Sequence, residues 1–287
     1  MSPQQDSGQV PRVSIQDLTP ARFHRDFQRK GTPVVITGAL DATPALNIDA
    51  LLSHVGQMGV PIRCYGTGRF DRPKAQWKTY CETTTLTVAD YCALLDNGVA
   101  ARDHLYLAMV EMGQTPLRQI IGPAIDAIAA HTGLVRRLPN DVNLWVGPGG
   151  HVEPLHYDGQ DGTLSQFHGT KRVSLFPPSI QAGLYPFPLS HGGLTPNFSQ
   201  VYIDQPDFDT YPKLAQALHH RQIVELTAGE TLYIPLGWWH EIESLGNDYI
   251  CSVNRFWKVA PLWRYACTPQ ASYLYALSRW RQRQRRS

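Results

Sequence analysis

The segment 143–257 consists of short apolar runs separated by turn-forming residues, and this spacing limits the possible folds more than any other feature of the sequence. The runs 173–176, 231–234 and 249–256 each have the length of a β-strand and have Gly, Pro, Asn or Asp close to their ends. With 22 prolines and 23 glycines among 287 residues, the composition also favours strands and turns over long helices. We therefore expect a mainly β fold with flanking helices, built around a jelly-roll core.

Two short motifs in this segment supply three potential metal ligands. His156 and Asp158 belong to Pro-Leu-His-Tyr-Asp, and His240 ends the later stretch Ile-Pro-Leu-Gly-Trp-Trp-His. Because side chains alternate along a β-strand, His156 and Asp158 point to the same face. A second imidazole from a later strand would complete the ligand set of non-haem Fe(II) oxygenases, which leaves positions open for a cosubstrate and O₂. A His-x-Asp tripeptide alone is more often structural, so the interpretation depends on its neighbours.

Lys171 opens the apolar run 173–176, directly after the turn at Gly169. If its side chain points inward near the metal, the buried ammonium needs a partner, and a dicarboxylate cosubstrate would supply one. On spacing alone, a surface lysine at the start of a strand is the better interpretation.

Several motifs follow one another along the chain: Asn-Leu-Trp-Val-Gly-Pro-Gly-Gly (143–150), Pro-Leu-His-Tyr-Asp (154–158), Gln-x-x-Gly-x-Lys-Arg (166–172), Leu-Phe-Pro-Pro (175–178), Gly-Glu-Thr-Leu-Tyr-Ile-Pro-x-Gly-Trp-Trp-His (229–240) and Ser-Val-Asn-x-Phe-Trp (252–257). Their order resembles that of the JmjC/cupin-type (cupin_8-like) oxygenases, and the small JmjC hydroxylases more than the histone demethylases. A weaker match, Thr-Pro-Val-Val-Ile-Thr-Gly, lies at 32–38.

The resemblance implies a double-stranded β-helix core in which His156, Asp158 and His240 bind Fe(II). It also implies 2-oxoglutarate as cosubstrate and O₂ as oxidant, with Lys171 pairing the distal carboxylate of 2-oxoglutarate. No protein nucleophile or general base is then required, because the cofactor carries the difficult chemistry.

Tyr106 and Asn254 would line the cosubstrate pocket by the same resemblance. Tyr106 reads equally well as a core tyrosine of a strand, and Asn254 as a buried amide that is satisfied by the backbone. The chain departs from the family at two positions: Glu153 stands where the family often has a threonine that contacts the cosubstrate, and Gly162 stands where it usually has asparagine. We expect Thr163 to supply a nearby hydroxyl to the cosubstrate.

The chain is predicted to comprise three parts: an N-terminal α/β segment at 1–140 that packs on the core, the catalytic jelly-roll at 141–258 with an insertion at about 177–223, and a C-terminal helical segment at 259–287 with an Arg-rich tail. Outside the core we predict a disordered tail at 1–10, helices at 15–30, 49–55, 87–95, 115–131 and 211–220, and strands at 33–37 and 106–109. We also predict a hairpin at 62–79 that overlooks the pocket. We expect Gly-Pro at 122–123 to interrupt the fourth helix.

Charge and cysteine content exclude some classes of protein. The net charge is only +2 and five arginines lie in the last nine residues, so the rest of the chain is not a uniformly basic nucleic-acid binder. That tail suits RNA, an acidic protein or a membrane surface, but a solvated helix end is the better interpretation. Five cysteines without CxxC spacing, no long apolar run and no secretory signal predict a cytoplasmic protein without a membrane span.

We therefore expect an Fe(II)- and 2-oxoglutarate-dependent dioxygenase that hydroxylates a C–H bond and releases succinate and CO₂. A protein or peptide side chain is the first substrate class. A tRNA base is the second, because residues 202–212 resemble a connection found in tRNA wybutosine and asparaginyl hydroxylases, and a small molecule is the third. N-methyl demethylation follows from the same chemistry. Two alternative hypotheses are a non-catalytic cupin-fold binding module and a cupin metalloenzyme that uses no 2-oxoglutarate. By analogy, C-terminal helices would form a homodimer.

Overall fold

The computed structural model describes residues 9–44, 46–66, 81–137, 141–188 and 197–266. Most of the predicted tail at 1–10, the centre of the predicted hairpin at 62–79 and nearly all of the C-terminal segment with its arginines lie outside these ranges. Val10 is described and corrects the first of these predictions, because it is buried in a hydrophobic cluster with Val35 and Leu232.

Thirteen strands occur in the described ranges and form two sheets. They are β1 Arg12–Ser14, β2 Val34–Thr37, β3 Gly59–Cys64, β4 Glu82–Thr87, β5 Leu105–Glu111, β6 Val142–Pro148, β7 Val152–Tyr157, β8 Asp161–His168, β9 Thr170–Phe176, β10 Gln222–Thr227, β11 Thr231–Ile234, β12 Trp239–Leu245 and β13 Tyr249–Trp257. The large sheet has the order β1-β2-β11-β8-β13-β6-β5-β3-β4, and the small sheet has the order β10-β9-β12-β7. The last eight strands are therefore divided equally between the two sheets, which is the double-stranded β-helix that we expected.

The N-terminal strands extend the large sheet at both of its edges. On one side, β2 pairs antiparallel with β11 and carries β1 alongside it. On the other side, β5 pairs with β6, and β3 pairs with β5. The segment that precedes the jelly-roll thus contributes strands to the same sheet as the core, and β3 and β5 bring their side chains to the cavity described below.

Six α-helices lie in the described part of the chain: α1 Pro20–Phe23, α2 Ile48–Val55, α3 Val88–Asp96, α4 Val99–Arg102, α5 Arg118–Thr132 and α6 Leu214–Leu218. A π-helical turn at His24–Gln28 continues α1, and 3₁₀ turns lie at Ile15–Asp17, Pro178–Gly183 and Leu262–Tyr265. No helix among these ranges has the length and apolar content that a membrane crossing needs.

Side-chain caps explain where two of these helices begin. The hydroxyl of Thr19 accepts a hydrogen bond from the amide of Arg22, so the regular helix starts at Pro20 and not at Ile15. Thr87 caps α3 in the same way and confirms that predicted start. The predicted helix at 211–220 is shorter than expected and is confined to Leu214–Leu218.

The predicted interruption of α5 at Gly122-Pro123 is wrong, because the helix continues through Pro123. A proline without an N–H removes one hydrogen bond, to the carbonyl four residues earlier. The buried face of α5, which includes Ile121, Ile125 and Ile128, packs into the main hydrophobic cluster and holds the helix together.

Two hydrophobic clusters bear on the site. One fills the space between the sheets with apolar side chains from both, among them Leu164 and Leu232 of the large sheet and Val173 and Val224 of the small sheet. Another lies under the insertion and includes Trp239 of β12. The strand that carries His240 therefore packs against both clusters, through Trp239 and the partly buried Ile242.

Candidate metal centre and adjoining cavity

His156 and His240 lie directly opposite each other on two paired strands. Their strands β7 and β12 are antiparallel, and the register pairs His156 with His240. Asp158 follows β7 by one residue and brings a carboxylate oxygen to 3.6 Å from Nε2 of His240. One ligand atom from each of the three residues lies within 4.8 Å of the others. The structure thus brings together the three side chains that the sequence singled out.

Backbone carbonyls fix the orientation of both imidazoles. Nδ1 of His156 lies 2.7 Å from the carbonyl oxygen of Pro154, and Nδ1 of His240 lies 3.0 Å from that of Trp238. A carbonyl only accepts, so each Nδ1 donates and each Nε2 keeps its lone pair for a metal. Burial, followed by the neighbouring His156, lowers the pKa of His240 to about 4, which favours the neutral imidazole that a metal needs. Two nitrogens and one carboxylate in this arrangement fit a divalent iron ion.

A buried carboxylate, that of Asp161, holds the turn between β11 and β12, and this turn leads into the strand that carries His240. Oδ1 of Asp161 accepts a hydrogen bond from the amide of Leu236 at 2.9 Å, and Oδ2 accepts one from Nη1 of Arg264 at 2.8 Å. The amide of Gly237 also donates to the carbonyl of Asp158 at 3.1 Å. These bonds tie the segment that carries His240 to the segment that carries the other two ligands.

A cavity of about 240 Å³ adjoins the three ligands. Its walls include the apolar side chains Met109, Trp145, Phe198, Ile234, Ile242 and Phe256. Met109 is half-exposed and has a left-handed backbone with φ of 57°. Such a conformation is uncommon for a residue other than glycine and is found most often at functional sites.

Lys171 lies on the wall of the same cavity and is only 2% exposed, so the interpretation of a surface lysine is wrong. Its ammonium donates to Oγ of Ser252 at 2.6 Å and lies 3.5 Å from the hydroxyl of Tyr106. Burial lowers the pKa of Lys171 to about 8, although Cys251 and Glu153 act in the opposite direction. Among the described residues, this buried ammonium has hydroxyl groups and no carboxylate within ion-pair distance, so it suits a carboxylate ligand in the cavity.

The other three predicted cosubstrate residues also line the cavity. Tyr106 is buried and stacks on His151 with ring centroids 3.6 Å apart. Oδ1 of Asn254 accepts a hydrogen bond from the indole of Trp145 at 2.8 Å, and the hydroxyl of Thr163 accepts one from the indole of Trp257 at 2.9 Å. Each of the three therefore has a structural partner and at the same time a place on the cavity wall.

The two departures from the family pattern also fall on this wall. An added Cβ at Gly162 would meet its nearest neighbour, the Phe256 ring, at 3.8 Å, so the position has room for a side chain. The carboxylate of Glu153 lies 3.6 Å from Arg63 and 3.6 Å from His151. Burial opposes the charge of Glu153, but these two neighbours outweigh it and lower the pKa to about 2.

Arg63 is the cavity residue that the sequence analysis missed. It lies on β3, opposite Tyr106 of β5 in the register. It falls in the predicted hairpin at 62–79, which we expect to overlook the pocket, but that prediction does not single out Arg63 or reveal that β3 joins the core sheet.

A jelly-roll with two histidines and a carboxylate at one cavity, and a buried lysine on the wall of that cavity, is characteristic of the JmjC-type oxygenases of the cupin class. Residues 20–261 match the cupin-like domain family, and the chain belongs to this family. JmjC members of the family use Fe(II) and 2-oxoglutarate with O₂.

Three relatives illustrate the similarity. The proteins named lysine-specific demethylase 8 from Xenopus tropicalis and Danio rerio are 29% and 31% identical to the chain, over 86% and 87% of its length. The protein named lysine-specific demethylase JMJ30 from Arabidopsis thaliana is 32% identical over 82% of the chain. The matched regions cover 52%, 58% and 52% of these relatives, so the chain spans about half of their length.

Proposed function

We propose that the protein is an Fe(II)- and 2-oxoglutarate-dependent oxygenase that hydroxylates a C–H bond of a protein or peptide side chain. The observation that carries the proposal is the presence of His156, Asp158, His240 and the buried Lys171 on a single cavity. A metal ligand set alone suits many cupins, but a buried ammonium beside it suits a cosubstrate that has a second carboxylate.

When bound, iron supplies the activation of O₂ that converts 2-oxoglutarate to succinate and CO₂ and delivers the second oxygen atom to the substrate. The residues of the chain have positioning roles. Nε2 of both histidines and the carboxylate of Asp158 would hold the metal at the wall of the cavity. Lys171 would bind the distal carboxylate of the cosubstrate, with Ser252 and Tyr106 orienting its ammonium. The apolar wall would limit the entry of water.

N-methyl demethylation is the second candidate, because the relatives described above are named as lysine demethylases. Hydroxylation of an N-methyl group gives an unstable product that releases formaldehyde, so the two candidates share one site and differ in the substrate. A tRNA base or a small molecule, and the binding module without turnover, stay as alternatives that the test below separates.

The test is a turnover assay on the protein reconstituted with Fe(II), 2-oxoglutarate and ascorbate, with a peptide library in air. We expect succinate formation together with peptides that gain the mass of one oxygen atom. Peptides that lose a methylene unit with release of formaldehyde would favour demethylation instead.

Two variants provide the controls for this assay. H156A should abolish both succinate formation and the gain of mass, because it removes a metal ligand. H168A should keep both, because it replaces a partly exposed histidine that pairs with Asp248 outside the cavity. An iron-loaded protein that makes no succinate under any condition would favour the binding module and would overturn the proposal.

A further inference from the structure

We propose that Arg63 binds a carboxylate group of the substrate, so that the enzyme selects peptides with an aspartate or glutamate side chain near the modified residue. This inference rests on the proposed function, because it names the substrate class of the same cavity. It starts from the distribution of charge along the cavity wall.

Among the residues that the structure describes, two cationic side chains, Arg63 and Lys171, line the cavity, and they differ in their access to solvent. Lys171 is 2% exposed, whereas the side chain of Arg63 is 33% exposed. Tyr106 lies between them, since it faces Arg63 in the strand register and its hydroxyl lies 3.5 Å from the ammonium of Lys171. Lys171 is thus at the closed part of the cavity, and Arg63 is closer to solvent.

Glu153 fixes the position of Arg63 but is a poor site for a cationic substrate. One carboxylate oxygen lies 3.6 Å from Nη1 of Arg63, and the other lies 3.6 Å from Nε2 of His151. The side chain of Glu153 is only 13% exposed, so its charge is covered from both sides. The more exposed member of the pair is the arginine, so its guanidinium is the charged group of the pair that a substrate can reach.

Arg63 keeps donor capacity after these contacts. Within the described ranges, its hydrogen bond runs from Nη1 to the hydroxyl of Tyr65 at 3.3 Å, and Nη1 also makes the contact to Glu153. A guanidinium has five donors in a planar fork that matches a carboxylate. Met109 and Trp145 line the same cavity and would cover the methylene groups of an acidic side chain.

The same arrangement disfavours a cationic substrate group. A methyl-lysine that reached the metal through this cavity would lie beside the guanidinium of Arg63, and like charges in a partly desolvated site repel. The inference therefore separates hydroxylation near an acidic side chain from the lysine demethylation that the names of the relatives suggest.

The experiment is an anaerobic binding selection with the protein loaded with Fe(II) and 2-oxoglutarate, so that no turnover occurs. The probe is a peptide library in which one position carries Asp, Asn, Glu, Gln, Lys or Arg in equal amounts, and retained peptides are quantified by mass spectrometry. The wild type should retain acidic peptides over their amide counterparts by about tenfold or more, as for a charge-assisted hydrogen bond.

Variants show whether Arg63 causes this selection. R63Q should remove the enrichment, and R63K should keep part of it, because lysine keeps the charge without the fork. The matched control is R172Q, since Arg172 is an exposed arginine that pairs with Glu225 and Glu243. R172Q should retain the wild-type enrichment. Circular dichroism of each variant verifies folding, and the wild-type result alone decides the charge preference.

The inference is overturned if the wild type shows no acidic enrichment, if it prefers basic peptides, or if R63Q keeps the enrichment. Binding of tRNA that depends on Arg63, without binding of acidic peptides, would also overturn it in favour of a nucleic-acid substrate. The same wild-type sample is checked for the visible absorption of iron with 2-oxoglutarate. A sample without that absorption contradicts the proposed function, whereas absorption without acidic enrichment contradicts only this inference.

Discussion

Among single residues, Lys171 carries the most information about the cosubstrate. Its sequence context favours a surface lysine, but the pairing of β9 with both β10 and β12 turns its side chain into the cavity. Burial then lowers the pKa of the ammonium to about 8, below its usual 10.5. Binding of a carboxylate there would require the protonated ammonium of Lys171, and the free protein loses this proton just above physiological pH.

This pKa predicts how 2-oxoglutarate affinity changes with pH. Because Lys171 loses its proton as the pH rises through about 8, the affinity should fall between about pH 7 and pH 9, approaching about tenfold per pH unit at the upper end. Anaerobic titration of the Fe(II) protein at several pH values measures this. K171R keeps its charge over the whole range, so its affinity should not fall with pH. A flat wild-type profile, or the same fall in K171R, would show that another group anchors the cosubstrate.

At two glycines on or beside the cavity, we expect substitution by alanine to change the stability of the protein by different amounts. An added Cβ at Gly147 would overlap the ring of Tyr106, whereas one at Gly162 would meet nothing closer than 3.8 Å. G147A should therefore lower the free energy of unfolding by about 1–3 kcal/mol, and G162A should change it by less than about 1 kcal/mol. Urea unfolding of both variants measures the difference. Equal effects would contradict the close packing of Tyr106 on β6.

Among the structural elements, the turn between β11 and β12 connects fold and site. Asp161, at the start of β8, holds this turn through Leu236 and pairs with Arg264, which lies 103 residues away in the chain. The side chains of Asp161 and Arg264 are 0% and 6% exposed. An ion pair with this burial is costly to break on one side only.

D161A should therefore destabilise the protein by about 3–5 kcal/mol, because it leaves the Arg264 guanidinium buried without its carboxylate. It should also weaken iron binding, since the turn that leads into the strand of His240 loses one of its anchors. The control is D204A, which removes an exposed partner of Arg221 and should cost at most about 1 kcal/mol. Urea unfolding and iron titration measure both effects. A D161A variant as stable as D204A would mean that Asp161 does not hold the turn.

Local sequence patterns identified much of the fold but not the contacts between distant elements. The strands of the jelly-roll, the cap at Thr87 and the shared face of His156 and Asp158 follow from alternation and turn residues, which act over a few positions. The third ligand, His240, is expected from its residue type and from the family resemblance. The inward side chain of Lys171 and the place of Arg63 depend on which strands become neighbours. Such pairing is set by packing across the whole sheet, so no short pattern in the sequence contains it.

For the molecule as a whole, the two parts of the chain build one cavity. The jelly-roll supplies the three ligands and Lys171, and the N-terminal segment supplies Arg63 and Tyr106 through strands that extend the large sheet. The family match at 20–261 covers both parts, and the cavity lies where their strands share the large sheet. We infer that chemistry is determined by the first part and substrate choice by the second.

The most direct test of this account is an anaerobic titration of the metal-free protein with Fe(II) and then with 2-oxoglutarate, followed by visible absorption. We predict a charge-transfer band that appears only when both are present, and that is lost in H240A, which lacks one ligand but keeps Lys171. H168A, the control with a histidine changed outside the cavity, should keep the band. Bound iron without a band in the wild type, or a band that persists in H240A, would contradict the assignment of this cavity as an Fe(II)/2-oxoglutarate site.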